Sequence, residues 1–243
     1  MYQIKSIPAK IKDVDESTRT VQGYFSVFGN VDSDGDVITP GAFKRTIDSR
    51  GPKGSNRIMH LWQHNPTMPL GKPKELEEDD VGLRFTTQIS DTTYGQDAIK
   101  LYRDGVLSEH SIGFEVIKAN PGEQDGKDVW MLTELRLWEG SSVTWGANEL
   151  ARGGMKGVTT DWIKERYDIL KAAAKSGDYT DETHKSIEHQ LNWLAKQYIE
   201  TNPPTPDTPK KKDSSDGPDL LGSLRAINLK RTIRHGISKA GTR

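Results

Sequence analysis

The stretch Val129-Trp-Met-Leu-Thr-Glu-Leu-Arg-Leu-Trp-Glu-Gly-Ser-Ser-Val143 reads as one long β-strand in which apolar and polar residues alternate. A run of this length is expected to bend or bulge, and Gly140 is the natural place for it. Glu139 interrupts the strand at a position that tends inward. An inward carboxylate is costly unless it is paired, so Glu139 needs a partner such as an imidazole or an arginine. A salt bridge to Arg136, or exposure at a bulge, would satisfy it equally well, and spacing alone does not separate these from a catalytic role.

Outward from that strand, the chain from Tyr2 to about Ala151 is a series of short β-like runs broken by Gly, Pro, Asn and Asp. Strands are predicted near Ile4 to Ile11, Thr20 to Phe28, Arg57 to Trp62, Leu83 to Ile89 and Ser108 to Ile117. Two helices interrupt them. One begins at Pro40, and the other runs from Tyr94 to Asp104, with Ala98, Leu101 and Tyr102 on one face and Gly105 where a C-terminal stop belongs. Mixed short strands with two helices predict a barrel-like α+β domain over residues 1–151.

After Ala151 the texture changes. Arg152-Gly-Gly marks a boundary, and residues 152–201 carry a helical hairpin. Its first helix starts at Thr160-Asp161 and continues through Trp162, Ile163, Tyr167, Leu170 and Ala174. The second runs from about Asp181 to Glu200 through Ile187, Leu191, Leu194 and Tyr198. Neither helix can bury its apolar stripe alone. Residues 202–219 are Pro, Asp, Lys and Ser without an apolar anchor and read as a flexible linker. The last segment, 220–243, has six Lys or Arg and no Asp or Glu, with Leu220, Leu224 and Ile227 on one helical face, a basic amphipathic tail.

Composition narrows the function classes. Only 33% of the 243 residues are apolar, which suits one core and a solvated remainder. The 34 Lys and Arg balance 35 Asp and Glu for a net charge of -1, so no global field draws in nucleic acid or an anionic membrane. The absence of cysteine excludes disulfides, thiolate zinc sites and a cysteine nucleophile, and fits a reducing cytoplasm. The N-terminus has no apolar signal region and no run approaches the roughly 20 apolar residues of a spanning helix. A soluble, non-secreted protein is expected.

Two further stretches could carry chemistry. His60 and His64 lie four apart, a spacing that places both on one side of a regular strand or helix. The zinc pattern His-Glu-x-x-His is not met, because Gln63 precedes the second histidine and the general-base Glu is missing, so no metal is expected. The bland alternative is a partly buried pair satisfied by backbone carbonyls. In Asp104-Gly-Val-Leu-Ser-Glu-His-Ser-Ile-Gly-Phe114, a helix ends at Gly105 and Ser111 opens a strand. A serine there becomes a nucleophile only with a histidine to take its proton. On chemistry alone Ser108, Ser141 and Ser142 compete with Ser111, and His110 competes for the base.

These segments together resemble the caudovirus prohead protease family. The resemblance rests on Trp62-Gln-His64 with Pro69-Leu-Gly71, on Gly105 to Ser111-Ile-Gly-Phe114, and on Glu139-Gly-Ser-Ser-Val-Thr-Trp-Gly-Ala-Asn148. The stretch from Gly23 to Phe43 is also similar to the family's N-terminal signature. It does not extend beyond about Ala151. Asn65 stands where the family often has Asp, and Gly146 where it usually has Pro. The resemblance implies a fold similar to herpesvirus assemblin, a small β-barrel ringed by helices, and a serine endopeptidase that cleaves scaffold and capsid protein inside the immature shell, in the host cytoplasm. It implies Ser111 as nucleophile, His64 as base and Glu139 as third member, with backbone near Gly146 and Ala147 as oxyanion donors by analogy, and no cofactor. The partners implied are the major capsid protein and its scaffold segment, with room for a homo-oligomer and none for a membrane or a specific nucleic acid. A non-enzymatic scaffolding protein that keeps the fold is the main alternative, and a metal-dependent hydrolase the third.

Overall fold

The computed structural model describes residues 2–7, 11–32, 35–144, 160–176 and 179–201. The chain divides into two units, Met1–Gly157 and Val158–Arg243.

In the first unit, long strands govern the arrangement. The strand expected at Val129–Val143 is β10, Lys127–Val143, and it pairs antiparallel along its length with β9, Glu109–Gln124. Its other edge is shared between two short parallel partners, β4 (Asp36–Ile38) at Trp130 to Leu132 and β5 (Met59–Trp62) at Glu139 to Ser142. Between them α1, Lys44–Arg50, and the turn before it supply the missing backbone partners. Leu135 N–H donates to Ala42 O at 2.8 Å, and Leu137 N–H to Thr46 Oγ1 at 3.1 Å. Every stretch of a buried strand edge needs such a partner, which explains why a helix seats in this gap. With β1 (Tyr2–Ile7) outside β9 and β6 (Asn65–Gly71) outside β5, this sheet has six strands. A second sheet of four strands runs in the order β2 (Ile11–Asp15), β3 (Thr20–Val27), β8 (Gly82–Gln88), β7 (Pro73–Glu78).

The fold is α+β, as expected, but among the described residues the predicted barrel is not closed. Both sheets are open, ending at β1 and β6 and at β2 and β7. Pro66 and Pro69 supply no N–H to a further strand, so β6 is suited to an edge. The stretch read as one strand from Ile4 to Ile11 is two, β1 and β2, in different sheets. β4, β6 and β7 were not anticipated. β4 is three residues long, and β6 and β7 carry prolines and charge in place of an apolar run. The first helix starts at Lys44 and not Pro40, with the Glu78 carboxylate accepting from Gly41 N–H and Phe43 N–H just ahead of it. α2, Thr93–Arg103, buries the expected Ala98, Leu101 and Tyr102 and is followed by Gly105 at φ +69°.

The sheets meet through aromatic contacts. Phe25 of β3 stacks on Phe85 of β8 at 3.9 Å and meets His60 of β5 edge-on at 5.0 Å. Gly140 belongs to this contact and not to a bulge. It pairs in register with Ile112 and His60, whereas the irregularities fall near Thr133 and Trp138. A Cβ at Gly140 would stand 2.4 Å from the Phe25 ring.

In the second unit, α3 (Thr160–Ser176) and α4 (Asp181–Thr201) pack on each other. Ile163, Tyr167 and Leu170 on one and Ile187, Leu191 and Leu194 on the other are buried, whereas Trp162, Ala174 and Tyr198 of the stripes read from the sequence are only half-buried. The linker and basic tail predicted at 202–219 and 220–243 lie outside the described residues. No helix among the described residues is long and apolar enough to cross a membrane.

Gly140→Ala is expected to destabilise the first unit by about 2 kcal/mol, because Phe25 is held between Phe85 and His60 and has nowhere to retreat. Thermal melting checks this, and an unchanged Tm would show that the ring moves freely.

Candidate active site

Trp62 and Asn65 pair across the β5–β6 hairpin, so Gln63 and His64 are a two-residue loop. Both have positive φ, 54° and 56°, the backbone that the twist of a tight hairpin favours and that usually selects Asn-Gly. Two bulky residues held there store strain, which persists only where surrounding contacts impose it. Here Gln63 N–H donates to Ser142 O at 2.9 Å, the Gln63 amide donates to Thr144 Oγ1, and His64 N–H donates to Ser141 Oγ at 3.1 Å.

The turn reverses the expectation that His60 and His64 share a side. A spacing of four keeps residues together only while the strand continues, and β5 stops at Trp62. His60 faces the aromatic core, while His64 leans over β10 toward Glu139.

His64 Nδ1 lies 2.7 Å from Glu139 Oε1, and Ser141 Oγ donates to Glu139 Oε2 at 2.6 Å. The pairing with Arg136 considered from the sequence does not form, since Arg136 bonds Glu115 at 3.2 Å. With Nδ1–H directed at a carboxylate, the neutral imidazole presents its lone pair at Nε2. That nitrogen is buried and has no hydrogen-bond partner. Ser111, fully buried on β9, stands opposite Ser141 in the ladder. Directly opposed residues project to the same face, so Ser111 shares its face with Ser141 and Glu139. The three candidates therefore occupy adjacent strands of one sheet, Ser111 on β9, Glu139 on β10 and His64 at the end of β5. His64 and Glu139 are in contact, and Ser111 makes no hydrogen bond to His64 Nε2. Gly146 and Ala147 lie outside the described residues.

The competing serines sort by the pleat. Ser141 uses its hydroxyl to brace Glu139 and the His64 backbone, a role that sequence reasoning missed although the Glu-x-Ser spacing on one strand face would have suggested it. Ser142 projects the other way, to His60 Nε2 at 2.7 Å and to the Tyr102 hydroxyl, which also lies 3.1 Å from His110 Nε2. Burial raises the Tyr102 phenol above its ordinary range and, with His110 nearby, pushes His60 well below the usual histidine value. Ser108 precedes β9 and is half-buried. Beside His64 and Glu139 opens a groove of about 680 Å³ floored in part by Leu61, Pro66 and Trp138. Among the described residues no three His, Asp or Glu come together as a metal ligand set.

Residues 5–161 match the family model described as caudovirus prohead serine protease. The prohead protease of Enterobacteria phage HK97 is 31% identical over 168 residues, covering 63% of this chain and 71% of that protein. The prohead protease of Escherichia phage T5 is 28% identical over 175 residues, 67% of this chain and 80% of that one. The structure of the bacteriophage T4 capsid assembly protease aligns with a TM-score of 0.45 at 10% identity, over 60% of this chain and 98% of that one.

The burial of His60 has a measurable signature in acid. Its folded value lies below its unfolded value, so only the unfolded chain takes up this proton as pH falls below about 6.5. Its contribution to stability is full above that pH and is lost progressively beneath it, at up to about 1.4 kcal/mol per pH unit. Urea unfolding at pH 7.5 and 5.5 should show a smaller acid loss in His60→Gln than in wild type. Equal losses would mean that His60 titrates alike in both states.

Proposed function

The chain belongs to the caudovirus prohead serine protease family, and from that premise we propose that it is a serine endopeptidase that cleaves capsid protein and its scaffold segment inside the immature prohead. Ser111 is the nucleophile, His64 the general base and Glu139 the carboxylate that orients the base. The observation that carries this reading is the His64–Glu139 contact of 2.7 Å, which leaves a partnerless Nε2 on the face of the sheet that Ser111 shares.

The chemistry follows from that arrangement. His64 Nε2 takes the Ser111 proton as Oγ attacks the scissile carbonyl, and the same nitrogen then protonates the departing amine. Water repeats the sequence on the acyl-enzyme and frees Ser111. Glu139 holds the proton at Nδ1, which keeps Nε2 basic, and stabilises the imidazolium formed in each half-reaction. Ser141 fixes the second carboxylate oxygen and the His64 backbone, so it is a positioning residue. The helical unit and the basic tail bring the enzyme to the assembling shell in the host cytoplasm.

Coexpression with the major capsid protein of the same phage, read as truncation of that protein, tests the assignment. Ser111→Ala and His64→Ala should each lower the rate by about 10⁴-fold or more, with a Tm near wild type for Ser111→Ala and a lowered but still cooperative melt for His64→Ala, where buried Glu139 loses its imidazole partner. Glu139→Gln should cost on the order of 10⁴-fold through the wrong tautomer. Ser141→Ala, losing one charge-assisted hydrogen bond, should cost roughly 10-fold to 100-fold. Wild-type processing by folded Ser111→Ala removes Ser111 as the nucleophile, whereas no processing by the wild-type chain leaves a non-enzymatic assembly role. A chain ending at Gly157 should still cut a peptide but fail to enter proheads, and normal incorporation would show that the first unit docks by itself.

A further inference from the structure

The groove beside His64 carries charge that the proposed triad does not use. Arg50, Arg57 and Lys72 all line it, and among the described residues Glu139 is its single lining carboxylate. Both oxygens of Glu139 are already engaged, one by His64 and the other by Ser141. Lys72 Nζ donates to a backbone carbonyl, Asn56 O, at 2.9 Å and has no carboxylate there. Arg50 is the most deeply set of the three. Its guanidinium lies 4.3 Å over the Trp138 ring, and its Nε is buried without a hydrogen-bond partner. Burial, then the nearby cations Arg57 and Arg136, push the Arg50 guanidinium below its ordinary value, and Glu115, which opposes this, is itself bonded to Arg136.

Three cations around one groove repel each other, and an orphaned buried donor is costly. One anion in the groove would relieve both. Leu61, Pro66 and Trp138 add apolar lining that the stem of an acidic side chain could cover. β6 lacks N–H groups at Pro66 and Pro69, which weakens backbone recognition along the neighbouring edge and gives the side chains of this wall a larger share in selection.

We infer that this groove is a specificity site for an acidic side chain, Asp or Glu, of the peptide substrate, with Arg50 as its anchor and Arg57 and Lys72 at its rim. A groove of this volume is on the order of 9 Å across, so the acidic residue falls within about three residues of the bond that Ser111 attacks. The inference rests on the proposed protease activity.

The test uses the full chain. A fluorophosphonate probe first reports whether Ser111 reacts, with Ser111→Ala as the blank; no labelling of wild type would sink the protease reading and the inference with it. Unlabelled enzyme from the same preparation is then given a synthetic peptide library with free and amidated C-termini, and products are read by mass spectrometry. The expected result is enrichment of roughly 10-fold or more for Asp or Glu at one fixed position within three residues of the cut. Arg50→Glu and Arg57→Glu should label normally yet lose about 10-fold to 100-fold in kcat/KM on those peptides, mainly through KM, and shift toward Lys or Arg at that position. Arg57 is exposed, so its variant remains informative if Arg50→Glu fails to fold. An enzyme that labels but shows no acidic enrichment, or cuts nothing, overturns the inference. Cutting confined to free-acid C-termini also overturns it, by assigning the cations to a chain terminus.

Discussion

The pleat of β10 is the constraint on which the rest depends. Glu139 and Ser141 face the candidate site, whereas Gly140 and Ser142, one residue along from each, face the core. Because side chains alternate with a period of two, the site and the interior cannot be adjusted independently there. A slip of one residue would bring Ser142 to the ladder position of Ser141 and set Ser141 against Phe25. The packing of Phe25 into the space above Gly140 opposes such a slip from the core side, and the His64–Glu139–Ser141 contacts oppose it from the other. Order in the core and order in the site are thus one structural fact seen from two faces.

The hairpin turn before β6 applies the same logic to His64. A histidine inside β5 would be committed to one face by the strand, as His60 is. Placing His64 one step beyond the strand's end frees it from that alternation, and the left-handed backbone of Gln63 and His64 turns it across the neighbouring strand. The cost of that backbone is met by three hydrogen bonds that Gln63 and His64 donate to β10 and Thr144, so His64 is held by the strand that carries Glu139.

Much of this was legible in the sequence, and the parts that were not share a physical origin. Ser111, His64 and Glu139 stood out as a set only through the family resemblance, since local chemistry alone left Ser108, Ser141, Ser142 and His110 in competition, whereas α2, α3 and α4 could be read from periodicity and stops such as Gly105. The opposite facing of His60 and His64 was hidden because neither Gln63 nor His64 is a residue that advertises positive φ. Gly140 looked like a bulge because the aromatic ring that requires its missing side chain comes from β3, more than a hundred residues earlier. The bracing by Ser141 and the cations of the groove depend on pairings between distant segments. Local pattern names residues well; it does not say which strand lies beside which.

The two prolines of β6 also bear on how many copies of this chain can coexist at high density. A sheet edge with unbroken N–H and C=O groups invites another chain to add to it, and the hazard grows steeply with crowding. Pro66 and Pro69 interrupt that invitation beside the candidate site. A protein closed into a small volume with many copies of itself would gain colloidal stability from such an edge without sacrificing any side chain that the site needs.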